Sequence, residues 1–466
     1  MTRLGMGLAL LAMAGGGYAL TGQGTIRVRI PPVHVKPVVR PMVVVNTRAL
    51  RREIAGRRGP GPDSVQVVAF LAAIGRADPV VCDMAAEQIG NMWGPRRGGV
   101  AMGALRERTA ADEAARAVYA SPVQDARGVP VLIATLADAN PCVRRAAARL
   151  LGNGETPVAM AQLRIALSSP DGRVREAALL ALGIAADTAS YAAMVSALKD
   201  RDPYVARMAA VALGGLEDAR AVPALTGALK SSDAGVRRSA ASALGSIEDK
   251  AAVEPLLPLL EDGDGDVRAT AAQALGRIED PRATSKLVAA LGDASDDVRL
   301  EVIRALGSIE DASAVDGLAR ALEDRNPELR IAAARALGQI ANARAAQPLG
   351  AALTDTDVDV RQTAARSLGQ LDDLHRAPDG LIAALRDQDA EVRAAAARSL
   401  GQLEDPASVA ALSAAAKDPN IEVRRSVIRS LGQIEGGGST EALLAAMKDS
   451  DPEVRRAAAR ALGQKD

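Results

Sequence analysis

Aromatic residues are almost missing from this chain, which has one tryptophan, one phenylalanine and four tyrosines in 466 residues. A core without rings has to be built from small aliphatic side chains, and a nucleic-acid surface that stacks bases would find nothing to stack them on. Histidine is nearly as scarce. His34 and His375 are followed by valine and arginine, so no His-Glu metal dyad can be assembled, and His375 is expected in an exposed loop beside a one-residue insertion between Leu371 and Gly380. Net charge is zero, with 57 basic and 57 acidic residues, but the balance is uneven along the chain. Residues 1–58 hold ten basic residues and one acidic, a net +9, whereas 59–466 hold 47 basic and 56 acidic, a net −9. That excess of acid argues against nucleic acid as a partner.

What the chain has instead is a period. Valine or leucine falls at Val143, Val174, Val205, Val236, Val267, Val298, Leu329 and Val360, always thirty-one positions on, then at Val392, Val423 and Val454. A glycine follows each nine positions later, from Gly152 to Gly463. Val81 with Asp78 and Gly90 extends the frame upstream. The copy between, about 91–121, is degenerate: Ser121 stands in the glycine position, although Val123, Asp125, Val129, Leu132 and Leu136 resume the frame. A fixed period in this range predicts stacked supersecondary units, about thirteen over 61–466.

Each unit reads as two helices. The second opens three positions before the valine on Asp, Asn or Ser, such as Asn140, Asp264, Ser295, Asn326 or Asp451, whose side-chain oxygens take up free amide donors. The glycine is expected to close that helix in the left-handed conformation. Apolar positions such as Val454, Ala457, Ala458, Ala461 and Leu462, or Val253, Leu256, Leu257 and Leu260 after Asp249, follow the helical spacing. No strand-alternating segment interrupts 61–466, which excludes a parallel-sheet nucleotide domain there. Cys82 and Cys142 lie two units apart, roughly 20 Å, beyond the ~7 Å that a disulfide spans, and are expected to be unpaired. Neither has a CxxC spacing or a histidine neighbour for thiol or metal chemistry.

The unit DPEVRRAAARALGQ, with LLAAMKD-like first helices, resembles the HEAT-like repeat of the phycobilin-lyase type over about 400 residues. The resemblance implies an all-α, right-handed α-solenoid of about thirteen 31-residue two-helix HEAT-like repeats. Its members include scaffolds, chromophore lyases and a metal-dependent hydroxylase, so it leaves function open. The hydroxylase branch needs His-Glu dyads that are missing here. A lyase or related enzyme stands as the alternative to a non-enzymatic scaffold, and no catalytic, cofactor or metal residue is assigned.

An aspartate precedes each of several arginines by six positions: Asp138 and Arg144, Asp262 and Arg268, Asp293 and Arg299, Asp324 and Arg330, Asp355 and Arg361, Asp387 and Arg393, Asp418 and Arg424, Asp449 and Arg455. This offset resembles the inter-repeat ladder of HEAT proteins and implies a structural role. A second stripe, Arg304, Arg335, Arg366, Arg398, Arg429 and Arg460, lies six positions after the valine, and earlier only Arg149 shares the place. Either it grips an acidic protein partner, or it complements the helix dipole from the last turn, as Asp266, Asp297, Glu328, Asp359, Glu391, Glu422 and Glu453 do from the first. Trp93, in an inter-helix turn before Arg96 and Arg97, offers a second contact point of the residue types that anchor interfaces, or else plugs the irregular repeat.

The amino-terminal region differs in kind. Arg3 and the apolar stretch from Leu4 to Leu20, with small residues near Ala19, read as a secretory signal or an inner-membrane anchor spanning 1–20. An extracytoplasmic location, periplasmic or secreted, follows as an expectation. Residues 21–60 form a basic, Pro/Val-rich extended linker that either tethers the solenoid or contacts an anionic membrane surface. The final repeat is as regular as an interior one, so an end-to-end homodimer through it is also expected.

Overall fold

The computed structural model describes residues 128–463 except 373, 375, 435 and 436, with short pieces at 18–20, 26–28, 67–68 and 71–72. Trp93, Arg96, Arg97, His34, His375, Cys82 and the degenerate repeat at 91–121 lie outside the described residues. Two units divide the chain, Met1–Gly59 and Pro60–Asp466. In the first, Tyr18–Leu20 pairs antiparallel with Ile26–Val28, Tyr18 opposite Val28.

The second unit is an all-α solenoid. Second helices follow one another from Pro141–Gly154 and Gly172–Ile184 through Gly265–Ile278, Asp296–Ile309 and Pro327–Ile340 to Ile421–Gln433 and Pro452–Leu462, each packed against the next. Their starts are written locally. Asn140, Asp171, Asp202, Asp233, Asp264, Asn326, Asp357, Asp389, Asn420 and Asp451 all accept a hydrogen bond from an amide of the first turn. Ser295 is the exception: its side chain makes no capping bond. First helices are shorter and enter through a tight turn. Asp280, for example, accepts from the Arg282 amide ahead of the 3-10 turn Pro281–Ala283, which leads into Thr284–Ala290. The Arg282 guanidinium, together with that amide, holds the Asp280 carboxyl down at about 2.

One apolar position per first helix anchors each layer. Leu132, Leu163, Met194, Leu225, Leu256, Leu287, Leu318, Leu349, Leu381, Leu412 and Leu443, eleven positions before the successive valines, are all fully buried. Alanines fill the space between second helices, so these helices approach closely.

That close approach corrects the role expected of the glycine. In most repeats it does not end the helix, and where it does, at Gly369 and Gly463, its φ is −75° and −71°, not left-handed. Gly276 sits inside Gly265–Ile278, and a Cβ there would meet Ala305 Cα of the next repeat at 2.8 Å and its Cβ at 2.9 Å. The left-handed residue comes three positions later and is not glycine: Glu248, Glu279 and Glu310, with φ of 57°, 53° and 57°, and Ala341 with 55°. The glycine thus answers to packing between layers, not to chain reversal.

The expectation of unpaired cysteines is also corrected. Cys142 is disulfide-bonded, and the sequence holds one other cysteine, Cys82. Val68, Leu71 and Ala72 line one cleft with Val131, Thr135, Asp138, Asn140 and Val143, so the helical residues at 67–68 and 71–72 lie near the repeat that carries Cys142.

Candidate interaction surface

Two systems of arginine run along the stack, and they do different work. The arginine after each valine spans two repeats. In the Val267 repeat, Arg268 donates from Nη1 to the backbone carbonyl of Asp262, six positions earlier, at 2.8 Å, and from Nε and Nη2 to the carboxylate of Asp293 in the following repeat at 2.7 and 3.0 Å. That carboxylate also accepts from the Ser295 amide at 2.8 Å. One aspartate therefore ties the preceding repeat to the start of its own second helix. Equivalent rungs join Arg330 to Asp355, Arg361 to Asp387, Arg393 to Asp418 and Arg424 to Asp449.

The six-position offset thus marks two halves of different rungs rather than one ion pair. Arg175–Asp200 and Arg237–Asp262 are rungs that this offset missed, because Ser169 and Ser231 stand six positions before those arginines. In both, the aspartate comes 25 residues after the arginine, and that separation is the signal that finds them. Where Ala206 replaces the arginine, Arg207 shifts the link to the capping Asp233. Arg299 is divided: its Nε lies 3.2 Å from Asp324 without hydrogen-bond geometry, while its Nη2 donates to Asp296 at 2.8 Å. Among the described residues Arg144 donates to the carbonyls of Asp138 and Ala139, and Arg455 to those of Asp449 and Ser450.

Hydrogen bonds from the arginines hold the Asp262 and Asp293 carboxyls below the ordinary carboxylate range, against the opposing effect of burial. Burial weighs most at Asp355, Asp387, Asp418 and Asp449, yet the guanidinium and the capped amide together still bring those carboxyls down.

The second arginine stripe faces outward. Arg304, Arg335, Arg366, Arg398, Arg429 and Arg460 are all exposed. Arg304 is engaged by Glu301 at 2.5 Å, and Arg398 donates to Ser426 Oγ of the next repeat at 3.3 Å. Arg335, Arg366, Arg429 and Arg460 have no acidic partner among the described residues. The dipole explanation fails for most of the stripe. Arg304, Arg335, Arg398 and Arg429 lie before the last turn, because their helices continue past the glycine; only Arg366 and Arg460 fall in it. Partial burial, with Arg366 and Arg429 on either side, pushes the Arg398 guanidinium below its ordinary value, while Glu391 and Glu422 pull the other way.

Sequence reading missed a companion column. Gln339, Gln370, Gln402 and Gln433 lie one turn beyond the arginines and are exposed. Their carboxamides lie across the layer junctions: a Cβ on Gly307, Gly338, Gly369 or Gly401 of the preceding repeat would collide with the glutamine oxygen. The Gly-Gln pair in each of these repeats was the available signal. Among the described residues no group of histidine, cysteine and carboxylates could hold a metal, and no helix is long and apolar enough to cross a membrane.

A stack of two-helix layers with an alanine-rich seam between second helices defines the chain as an α-solenoid. The family described as HEAT repeats matches residues 129–200, 191–266, 253–324, 315–381 and 378–463. The chain belongs to the HEAT-repeat family. No curated protein matches it. Importin beta crystallised in ammonium sulfate is similar at 16% identity and a TM-score of 0.52, over 90% of this chain and 65% of that one, which supports the fold alone. An engineered protein matches at 25% identity over 72% of this chain and 98% of its own, with a TM-score of 0.44. The CpcE–CpcF complex of phycocyanin lyase from Nostoc sp. PCC7120 matches at 24% identity, 59% and 93% coverage, and a TM-score of 0.31.

Proposed function

We propose that this chain is an exported, non-catalytic scaffold that binds a protein partner through the solenoid surface. The observation that carries the reading is a row of outward-facing side chains repeated layer by layer, without acidic partners at Arg335, Arg366 and Arg429 among the described residues, on a frame whose rungs fix their spacing. Preorganised surfaces lose little freedom on binding, which favours association. Export is supported by the disulfide at Cys142, since such bonds persist in oxidising compartments, and by the apolar stretch 4–20. Trp93 with Arg96 and Arg97 is a second proposed contact, and residues 21–60 are proposed to touch an anionic membrane surface. End-to-end pairing through the 437–463 repeat is supported by Leu444 and Met447, which are 56% and 40% exposed.

Affinity capture from an envelope fraction, using the chain from Leu20 onward, tests the scaffold reading. One protein retained in constant proportion is expected. Retention no greater than on an unrelated acidic HEAT-repeat protein would sink it. Trp93→Ala is expected to weaken that capture; a lower melting temperature with capture intact would assign Trp93 to packing.

A further inference from the structure

The stretch from Leu329 to Gln433 repeats one surface chemistry four times. Each second helix presents an arginine, and four positions on, in the helix or, for Gln370, in the turn that ends it, comes a glutamine: Arg335 and Gln339, Arg366 and Gln370, Arg398 and Gln402, Arg429 and Gln433. We propose, on the scaffold reading above, that these two columns bind an extended acidic segment of the partner protein, its carboxylates on the arginines and its main chain on the carboxamides.

Charge complementarity is the first argument. Among the described residues none of the four arginines is ion-paired, Arg398 donating only to the Ser426 hydroxyl, and stacking like charges in successive layers is unfavourable until an anion enters. The acidic residues of the same helices offset it only in part, Glu391 and Glu422 acting on Arg398 without pairing with it. Glu328, Asp359, Glu391 and Glu422 lie seven positions before the arginines, about 10 Å along the helix. Some are already engaged: Glu391 accepts from Gln362 at 2.6 Å, and Glu422 from Arg425 at 2.8 Å. That acidic row borders the arginines on one side and the glutamines border them on the other, so an acidic strand is repelled from the first and settles over the second.

Spacing is the second argument. Packed helices lie roughly 8 to 10 Å apart, and one turn of an extended polyproline-type chain, three residues at about 3.1 Å each, covers about 9 Å. A chain with an acidic residue at every third position therefore places one carboxylate on each arginine without bending. The rungs Arg330–Asp355, Arg361–Asp387, Arg393–Asp418 and Arg424–Asp449 keep the layers at a constant distance. Carboxamides both donate and accept, which matches a peptide main chain. No phenylalanine, tyrosine or tryptophan occurs between 327 and 433, which disfavours single-stranded nucleic acid as the polyanion.

The probe is a labelled peptide of about 15 residues with glutamate at every third position in a proline-rich background, titrated with the full chain by fluorescence anisotropy. Binding that weakens with salt is expected, with about a tenfold loss in the triple variant Arg366→Gln, Arg398→Gln, Arg429→Gln. The variant Gln370→Ala, Gln402→Ala, Gln433→Ala is expected to weaken binding while keeping the salt slope. Thermal unfolding of both variants should stay close to the parent, since all six side chains are exposed and the arginine variant loses only the Arg398–Ser426 bond among the described inter-layer hydrogen bonds. Equal binding by parent and arginine variant overturns the assignment, and so does equal binding of the glutamine-substituted peptide or of a single-stranded oligonucleotide of the same charge. If parent and arginine variant capture the envelope partner equally, the peptide track falls and the scaffold reading stands. If the peptide binds as expected and no partner is captured, the track stands and the scaffold reading falls.

Discussion

Gly276 and Ala305 lie so close that a Cβ on the glycine would be 2.8 Å from the alanine Cα, nearer than side-chain carbons pack. The seam between second helices is therefore set by the smallest residues in the sequence. Gly276→Ala should destabilise the solenoid by about 1–3 kcal/mol through overpacking, against the roughly 1 kcal/mol that alanine gains in a helix interior. Urea unfolding of the variant checks this; a stabilised variant would mean that the layers separate freely.

The left-handed residue gives the opposite sign. Glu279 has φ 53° and ψ 39°, a conformation that strains a residue with a Cβ. Glu279→Gly is expected to raise stability by about 0.5–1 kcal/mol, the relieved strain being partly offset by the greater freedom of glycine in the unfolded chain. A fall in the urea midpoint would show that the glutamate side chain contributes contacts of its own.

Burial separates rungs from ornamental ion pairs. Arg330 and Asp355 are each 13% exposed, whereas Arg344 and Asp316 are 57% and 72% exposed. Asp355→Ala leaves Nε and Nη2 of a largely buried guanidinium and the Asp357 amide without their acceptor and should cost about 2 kcal/mol. Asp316→Ala should cost less than about 0.5 kcal/mol. Similar losses for the two would remove the ladder from the account of stability.

Acid should undo the ladder as a set. The folded-state pKa values of Asp262, Asp293, Asp355, Asp387, Asp418 and Asp449 are all lowered, so the folded protein binds these protons less readily than the unfolded chain. The stabilisation they supply is full above the unfolded aspartate value of about 4 and is lost as pH falls through the lower folded values. Melting temperature should be flat between about pH 6 and 8 and drop steeply below about pH 4. A drop centred near pH 6 would implicate other groups.

The disulfide at Cys142 predicts that the denatured, unreduced protein takes up no thiol label. Reduction should lower stability by about 2–4 kcal/mol. Labelling without reductant would restore the unpaired cysteines that sequence spacing suggests.

Features that act over short stretches of chain are legible in the sequence. The caps at Asp264 or Asn326 bond amides two or three positions away, and the leucines eleven before each valine follow from helical spacing alone, so period, helix starts and core positions can be read directly. Contacts between layers cannot. Asp293 carries the same sequence pattern whether it serves its own repeat or the one before, and only the stacking shows that its carboxylate meets Arg268, 25 residues back. Gly276 reads as a helix end until the next layer is set against it, and Cys142 reads as isolated until residues 67–68 and 71–72 are seen to share a cleft with its repeat. The sequence determined each layer, because hydrogen bonding and apolar periodicity within a layer are local. The tertiary structure decided how layers meet, because those contacts join residues a full repeat apart and depend on which face is turned to which.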